Sequence, residues 1–429
     1  MRHLAQFRVL GIVIICLLCF GWAGAAENQQ DKNGNSNGKD GNAVAAKQES
    51  NNFKVEFSIR NRLDSLVNRD FNSSIDDSYC YLRQRYCMFF NYKAGEVPLF
   101  SEVRFVRQFP EAFNSLELQQ LYMDIGKDFR FRIGRQMMMF GDGRVISTRP
   151  LSDTGVVFDG LRMTASEKYF STELLALNRS QYHWQAPGQE RLYGFYSMWR
   201  KDKTEADGYF LTKEMDHGAY DGGLRQIRAA GVRFKQEKKD VVYGFEGIHQ
   251  FGVEGARQRD AWAFVTYGNY TFNRTPWKPT VGFNFDYFSG DSNPNDGVMH
   301  TFDDFYQRNQ NFLGNIGLIG PKNVKDFGIL ATVQPHPDWF ASANYHFFTL
   351  DKPQDAWYGI SGRPIFWDPK GRSGIDMGRE LDTYIRYKKK IWDIYVGYCV
   401  MNPGEFIKNS NKGRTDPAQY FYFQVENKF

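Results

Sequence analysis

From Phe53 to its end this chain alternates apolar with polar residues, and that alternation limits the folds open to it. Phe129, Phe131 and Ile133 run against Arg130, Arg132 and Gly134, the period-two pattern of a strand with two unlike faces. Gly134-Arg135-Gln136 and Phe140-Gly141-Asp142-Gly143-Arg144 follow, a glycine-punctuated stretch that cannot continue a sheet. A second strand is expected over Val156 to Arg162. An apolar face therefore backs onto an arginine face. In a soluble sandwich the apolar face would meet another sheet. In an outer-membrane barrel it meets lipid, and the arginines line a water-filled lumen.

The rest of the chain favours the barrel. Phe53, Val55, Phe57 and Ile59 oppose Lys54, Glu56, Ser58 and Arg60, and the pattern recurs at Leu82–Phe90, Val103–Phe105 and Leu121–Ile125. About eighteen strands are expected, with Asp207 to Lys213 the least patterned. Connections alternate between tight turns (93–98, 126–128, 165–168, 237–240, 335–339) and long segments (63–78, 137–154, 289–322, 351–379). A β-sandwich does not require that parity, whereas a barrel with short periplasmic turns and long extracellular loops does. Phe421, Phe423, Val425 and Phe429 alternate to a terminal aromatic, which resembles the signal read by outer-membrane assembly machinery. Pairing of the last strand with the first would remove both edges. The expected fold is all-β: a transmembrane antiparallel barrel over residues 53–429.

The N-terminus places it in the envelope. Arg2 and Arg8 precede the apolar run Val9 to Phe20, and Ala23-Gly24-Ala25 offers a small-residue cleavage site, so residues 1–26 read as a secretory signal peptide. Residues 27–52 are polar and glycine-rich and read as a disordered periplasmic segment. Within them Asp31 to Asn35 only faintly resembles a calcium loop, since Ser36 and Asn42 stand where glycine and glutamate belong. Loss of Arg2 and Arg8 with the leader takes the formal charge from +5 to +3, too mild a bias to suggest nucleic acid. Mean hydropathy of −0.55 does not exclude a barrel, because alternate strand residues face water. Cys80, Cys87 and Cys399 read as wall residues with no zinc spacing, and neither a metal nor a cofactor is expected.

The inward positions are rich in cations: Arg60, Arg62, Arg83, Arg85, Arg104, Arg130, Arg132, Arg162, Arg233 and Arg386, with Arg135 and Arg144 at the hairpin. A guanidinium binds carboxylates bidentately and keeps its charge at physiological pH. A ladder of them offers a polyanion successive weak sites. Glu56, Glu102, Asp124, Glu173, Glu246, Asp286, Glu380 and Asp382 on the same surface would hold the arginines apart. The bland reading is that these are the paired charges with which any porin fills its lumen. The third external connection, Met137 to Thr154, either caps the barrel or folds inward and sets Asp142, Arg144, Arg149 and Asp153 at a constriction.

The hairpin motif, continued by Phe158-Asp159-Gly160-Leu161-Arg162, resembles the core motif of the alginate export family. So do Phe285 to Asp291 followed by Thr301-Phe302-Asp303, and Asn344 to Phe348. The resemblance implies an eighteen-stranded outer-membrane barrel whose electropositive constriction passes polyuronate to the cell surface. It further implies Arg135, Arg144 and Arg162 as constriction cations, with Asp142 and Asp159 among the pore residues and periplasmic scaffold proteins as partners. The expected function is passive passage of an anionic, uronate-type polysaccharide; the alternative is a general anion-selective porin. An outer-membrane hydrolase would need a serine–histidine constellation. His346, inward beside Ser342 and Asn344, has no nucleophile motif around it, and no enzyme activity is expected.

Overall fold

The structure is a computed structural model that describes residues 52–110, 113–180, 190–215, 223–307, 312–410 and 415–429. The expected signal peptide, and all of the polar segment but Asn52, lie outside the described residues.

The wall begins with β1 (Phe53–Val67), β2 (Tyr79–Ala94), β3 (Val97–Phe109), β4 (Phe113–Ile125), β5 (Phe129–Gln136) and β6 (Phe158–Glu167). It continues through β7 (Phe170–Arg179), β8 (Glu190–Lys201), β9 (Thr204–Met215), β10 (Arg225–Lys238), β11 (Val241–Glu254), β12 (Arg257–Thr271) and β13 (Thr280–Phe288). After the two-residue β14 (Val298–Met299), which adds in parallel to β12, come β15 (Val324–His336) and β16 (Trp339–Leu350). The short pair β17 (Trp357–Tyr358) and β18 (Pro364–Phe366) forms a separate hairpin in a loop. β19 (Asp376–Lys389), β20 (Trp392–Pro403), the short helix α1 (Glu405–Ser410) and β21 (Ala418–Lys428) complete the order. Eighteen long antiparallel strands make the wall, and β21 pairs with β1 from Ser58–Lys428 to Val67–Gln419, which closes it. Closure leaves no long edge for another chain to pair with.

Each strand divides its side chains by parity. Leu116, Leu121, Val232, Val281, Ile329 and Ile385 point out and are exposed, as a lipid-facing band requires. Exposed aromatics gather beside the short turns, at Tyr92, Phe129, Phe170, Tyr270 and Trp339, the position of an interfacial girdle. Turns at 95–96, 126–128, 168–169, 202–203, 239–240, 337–338 and 390–391 all fall on this periplasmic rim, and the long loops fall on the opposite one. Length parity is not strict. Residues 272–279 make a longer periplasmic turn held by its own backbone bonds, and the external turn at 255–256 is tight.

The expected weak strand is a full one, β9. Its pattern is blurred because Tyr209 and Leu211 point inward beside Asp207 and Lys213, so apolar residues occupy both faces. The hairpin glycines also have a structural cause. Gly134 and Gly160 are cross-strand partners, and a Cβ on Gly134 (φ +123°) would stand 2.3 Å from the Leu121 carbonyl oxygen.

Candidate pore and its constriction

Residues 137–157, between β5 and β6, turn into the lumen and cross it as a strap. At one end Arg60 donates to the Pro150 carbonyl (3.0 Å) and to Asp153 (2.7 Å), and Arg85 donates to Pro150 (3.0 Å). Arg104 reaches the Asp153 carbonyl at 2.8 Å and Arg83 its carboxylate at 3.2 Å. At the other end Asp142 pairs with Arg233 on β10 (2.7 Å) and accepts from the Tyr267 hydroxyl (3.2 Å). Burial alone would raise the Asp142 carboxyl, but the Arg233 bonds and charge, with help from Arg144, outweigh it and hold the group below its ordinary value. Phe140 stacks on Tyr196 and Tyr196 on Tyr209, so the strap also rests on an aromatic stack on the wall.

The described parts of a second loop, 289–307 and 312–323, fill the space beside the strap. Its Tyr306 exchanges backbone bonds with Val145 and Ser147, and the Arg149 Nε donates to the Gln307 carbonyl. Asp303, fully buried, accepts from Lys213 (2.8 Å) and Arg225 (2.5 Å), which overcome burial and keep it well below its ordinary value. The amides of Asn315 and Ile316 donate to Asp382 and Glu380 of β19. Arg144 joins the two loops to the wall: it pairs with Asp286 on β13 at 2.6 Å and covers the Phe312 ring at 3.5 Å.

Two cavities lie within the barrel. An inner cavity of about 520 Å³ lies between the strap and the wall of β1–β3 and β19–β21, lined by Arg60, Arg62, Arg85 and Arg104 with Tyr384, Tyr395 and Tyr422. An outer cavity of about 630 Å³ lies among loops 289–323 and 351–375 and the external ends of β8–β12.

The family model for alginate export matches residues 51–421. The chain belongs to the alginate export family. No curated protein matches it by sequence. Solved structures with the same fold include OccK1 (OpdK) of Pseudomonas aeruginosa, at a TM-score of 0.61 and 12% identity, over 88% of this chain and 98% of that one. OccD3 (OpdP) of P. aeruginosa superposes at 0.59 and 11% identity (88% and 91%), and OccAB2 of Acinetobacter baumannii at 0.60 and 11% (88% and 98%). This member of the alginate export family is thus an outer-membrane β-barrel of porin architecture.

Within this alginate export barrel the sequence-derived cations take several places. Arg60, Arg62, Arg83, Arg85 and Arg104 cluster on β1–β3, and all but Arg62 grip the strap. Arg62 binds Asp64 (2.8 Å), Gln424 and Tyr420. Arg130, Arg132 and Arg162 stand lower, on β5 and β6. Arg132 and Arg162 are directly opposite, a like-charge pair relieved by Asp124 and Glu173 at 2.8 and 2.6 Å. Among the described residues Arg130 makes a single long contact, with Thr164 (3.5 Å). Arg386 pairs bidentately with Asp393 near the periplasmic rim, away from the strap. The single ladder expected from the sequence is therefore broken into groups by the strap.

Arg135 and Asp159 require correction. They share outward parity with Ile133 and Leu161 and pair with each other at 2.8 and 2.9 Å on the outer surface of the wall. Arg135 continues the phase of Phe129, Phe131 and Ile133, so it cannot line the constriction. Of the expected acidic partners, Glu102, Asp124, Glu173 and Asp286 each hold an arginine; Glu56 pairs with Lys54, Glu246 accepts from Tyr209, and Glu380 and Asp382 receive loop amides. Sequence reasoning missed Asp64, Asp207, Lys213, Arg225, Arg259 and Asp303. The strand residues among them have inward parity, which was available; the partners of Asp303 come from strands far away in sequence.

Proposed function

We propose that this channel passes an anionic, uronate-type polysaccharide by passive diffusion. The observation that carries the reading is the inner cavity, where four guanidiniums (Arg60, Arg62, Arg85 and Arg104) and several tyrosines share one wall beneath the strap. Arginine offers a carboxylate planar, bidentate hydrogen bonding, and the neighbouring carboxylates temper the attraction so that each unit can leave. Synthesis on the periplasmic side supplies direction. Family and fold are those of a transporter, and no reacting group is required of the protein. Its partners in this role are the polysaccharide, the outer-membrane lipid, periplasmic scaffold proteins of a secretion complex and, during biogenesis, the assembly machinery that reads the terminal strand.

A second reading is a selective porin for small anions. Two inward loops leave cavities of small-ligand size, and OpdK, a structure of the same fold, is known with vanillate.

Single-channel conductance in planar bilayers separates them, with uronate oligomers and neutral dextrins of matched length added to one side. Block by the charged oligomers alone, about tenfold weaker in Arg85→Gln (about 1.4 kcal/mol), supports polysaccharide passage. Small-anion current indifferent to both sugars leaves only the porin.

A further inference from the structure

The outer cavity, like the inner one, is lined by more basic than acidic side chains. Eight basic and six acidic side chains line it, so it carries an excess of positive charge. Six of the cations are held, five by carboxylates and Arg149 by a backbone carbonyl. Arg257, at the start of β12, and Arg363, in the hairpin of β17 and β18, make no ion pair among the described residues. Trp367 lines the same cavity. Its Nε1 donates to the Gln354 carbonyl at 2.9 Å, which holds the indole by one edge, and 57% of the residue stays exposed.

An exposed tryptophan inside a polar, cationic cavity is an uncommon placement, since a ring of that size normally buries itself. Held at its edge and open elsewhere, the indole offers a flat surface for the C–H face of a pyranose ring. Guanidiniums of the same wall with no ion pair among the described residues suit a carboxylate on that ring. Lys322 lines the same wall, held by Asp304 at 3.8 Å. A neutral sugar would use the ring alone, and a small inorganic anion the arginines alone. A uronate uses both.

We propose that this cavity is a second saccharide site on the extracellular side of the strap, binding uronate units through Trp367, Arg257 and Arg363. Its substrate class rests on the export reading above. The site gives the emerging polymer a resting place beyond the constriction, so that chain released from the inner cavity is not drawn back through it.

The test uses full-length protein inserted in one orientation, with uronate oligomers added to either face, and compares wild type with Trp367→Ala and with Arg257→Gln/Arg363→Gln. Retained heat-modifiable migration on gels verifies that each variant folds. Block from the extracellular face is expected to weaken about tenfold in both variants, while block from the periplasmic face is unchanged. Wild-type block from both faces with no change in either variant overturns the outer site and leaves the export reading standing. Absence of wild-type block from either face overturns the export reading itself. Equilibrium binding of a uronate tetramer to the detergent-solubilised protein reads the site without transport. Equal affinity in wild type and Trp367→Ala also overturns it.

Discussion

Arg233 on β10 and Asp142 in the strap form a bidentate ion pair, Nη2–Oδ1 2.7 Å and Nε–Oδ2 3.1 Å, that ties the far end of the strap to the wall. Arg233 is also bound by Glu205 and Asp207, so its charge stays compensated when Asp142 is lost. Asp142→Asn is therefore expected to loosen the strap without unfolding the barrel, at a cost of about 1–3 kcal/mol. Larger and noisier single-channel currents, with the thermal transition of the barrel nearly unchanged, check this. A quiet channel identical to wild type would show that the pair does not hold the strap.

Acid should act on the same anchor. The folded-state Asp142 carboxyl lies below its ordinary value of 3.8, so its contribution is complete above that value and is lost as pH falls through the depressed one. Asp303 behaves in the same sense for the second loop. Current should stay quiet from neutral pH down to about 5 and fluctuate increasingly below about 4. In Asp142→Asn the strap's share of that acid transition should be absent. Noise that grows instead as pH rises would contradict the sign.

Arg144 and Asp286 make a stronger demand. Asp286 is wholly buried on the wall, and Arg144 neutralises it while covering Phe312. Arg144→Ala leaves a buried carboxylate without its cation, and a loss of about 3–5 kcal/mol is expected. Arg144→Ala with Asp286→Asn should recover most of it. Thermal melts of the detergent-solubilised protein give the comparison.

Arg135 separates the family's motif from the pore. Because it faces outward in a pair with Asp159, Arg135→Gln should leave anion selectivity and oligomer block unchanged, with a stability change of about 1 kcal/mol or less at the membrane boundary. Arg85→Gln, which lines the inner cavity, should reduce both. Reversal potentials in a salt gradient distinguish the two. Loss of selectivity in Arg135→Gln would return that residue to the pore.

The wall was legible because a strand's side-chain direction follows from its period of two. Arg60, Arg83, Arg104 and Arg162 could be assigned inward from their apolar neighbours alone. The same rule, applied across the hairpin, would have placed Arg135 outward; the family resemblance implied a constriction cation instead. Asp207 to Lys213 was hard to read because Tyr209 and Leu211 are buried on the inner face, Tyr209 stacked on Tyr196, so the contrast between the two faces is lost.

By itself the sequence determined the barrel, its strand number and the inward parity of most of its arginines, since these depend on local alternation and on turn spacing. Tertiary structure decided what those arginines touch. Arg60 meets Asp153 across ninety-three positions, Arg233 meets Asp142 across ninety-one, and Lys213 meets Asp303 across ninety. No local period encodes such pairs. They arise because closing the wall brings distant strands around one lumen, where a buried charge persists only if a partner is folded in to meet it.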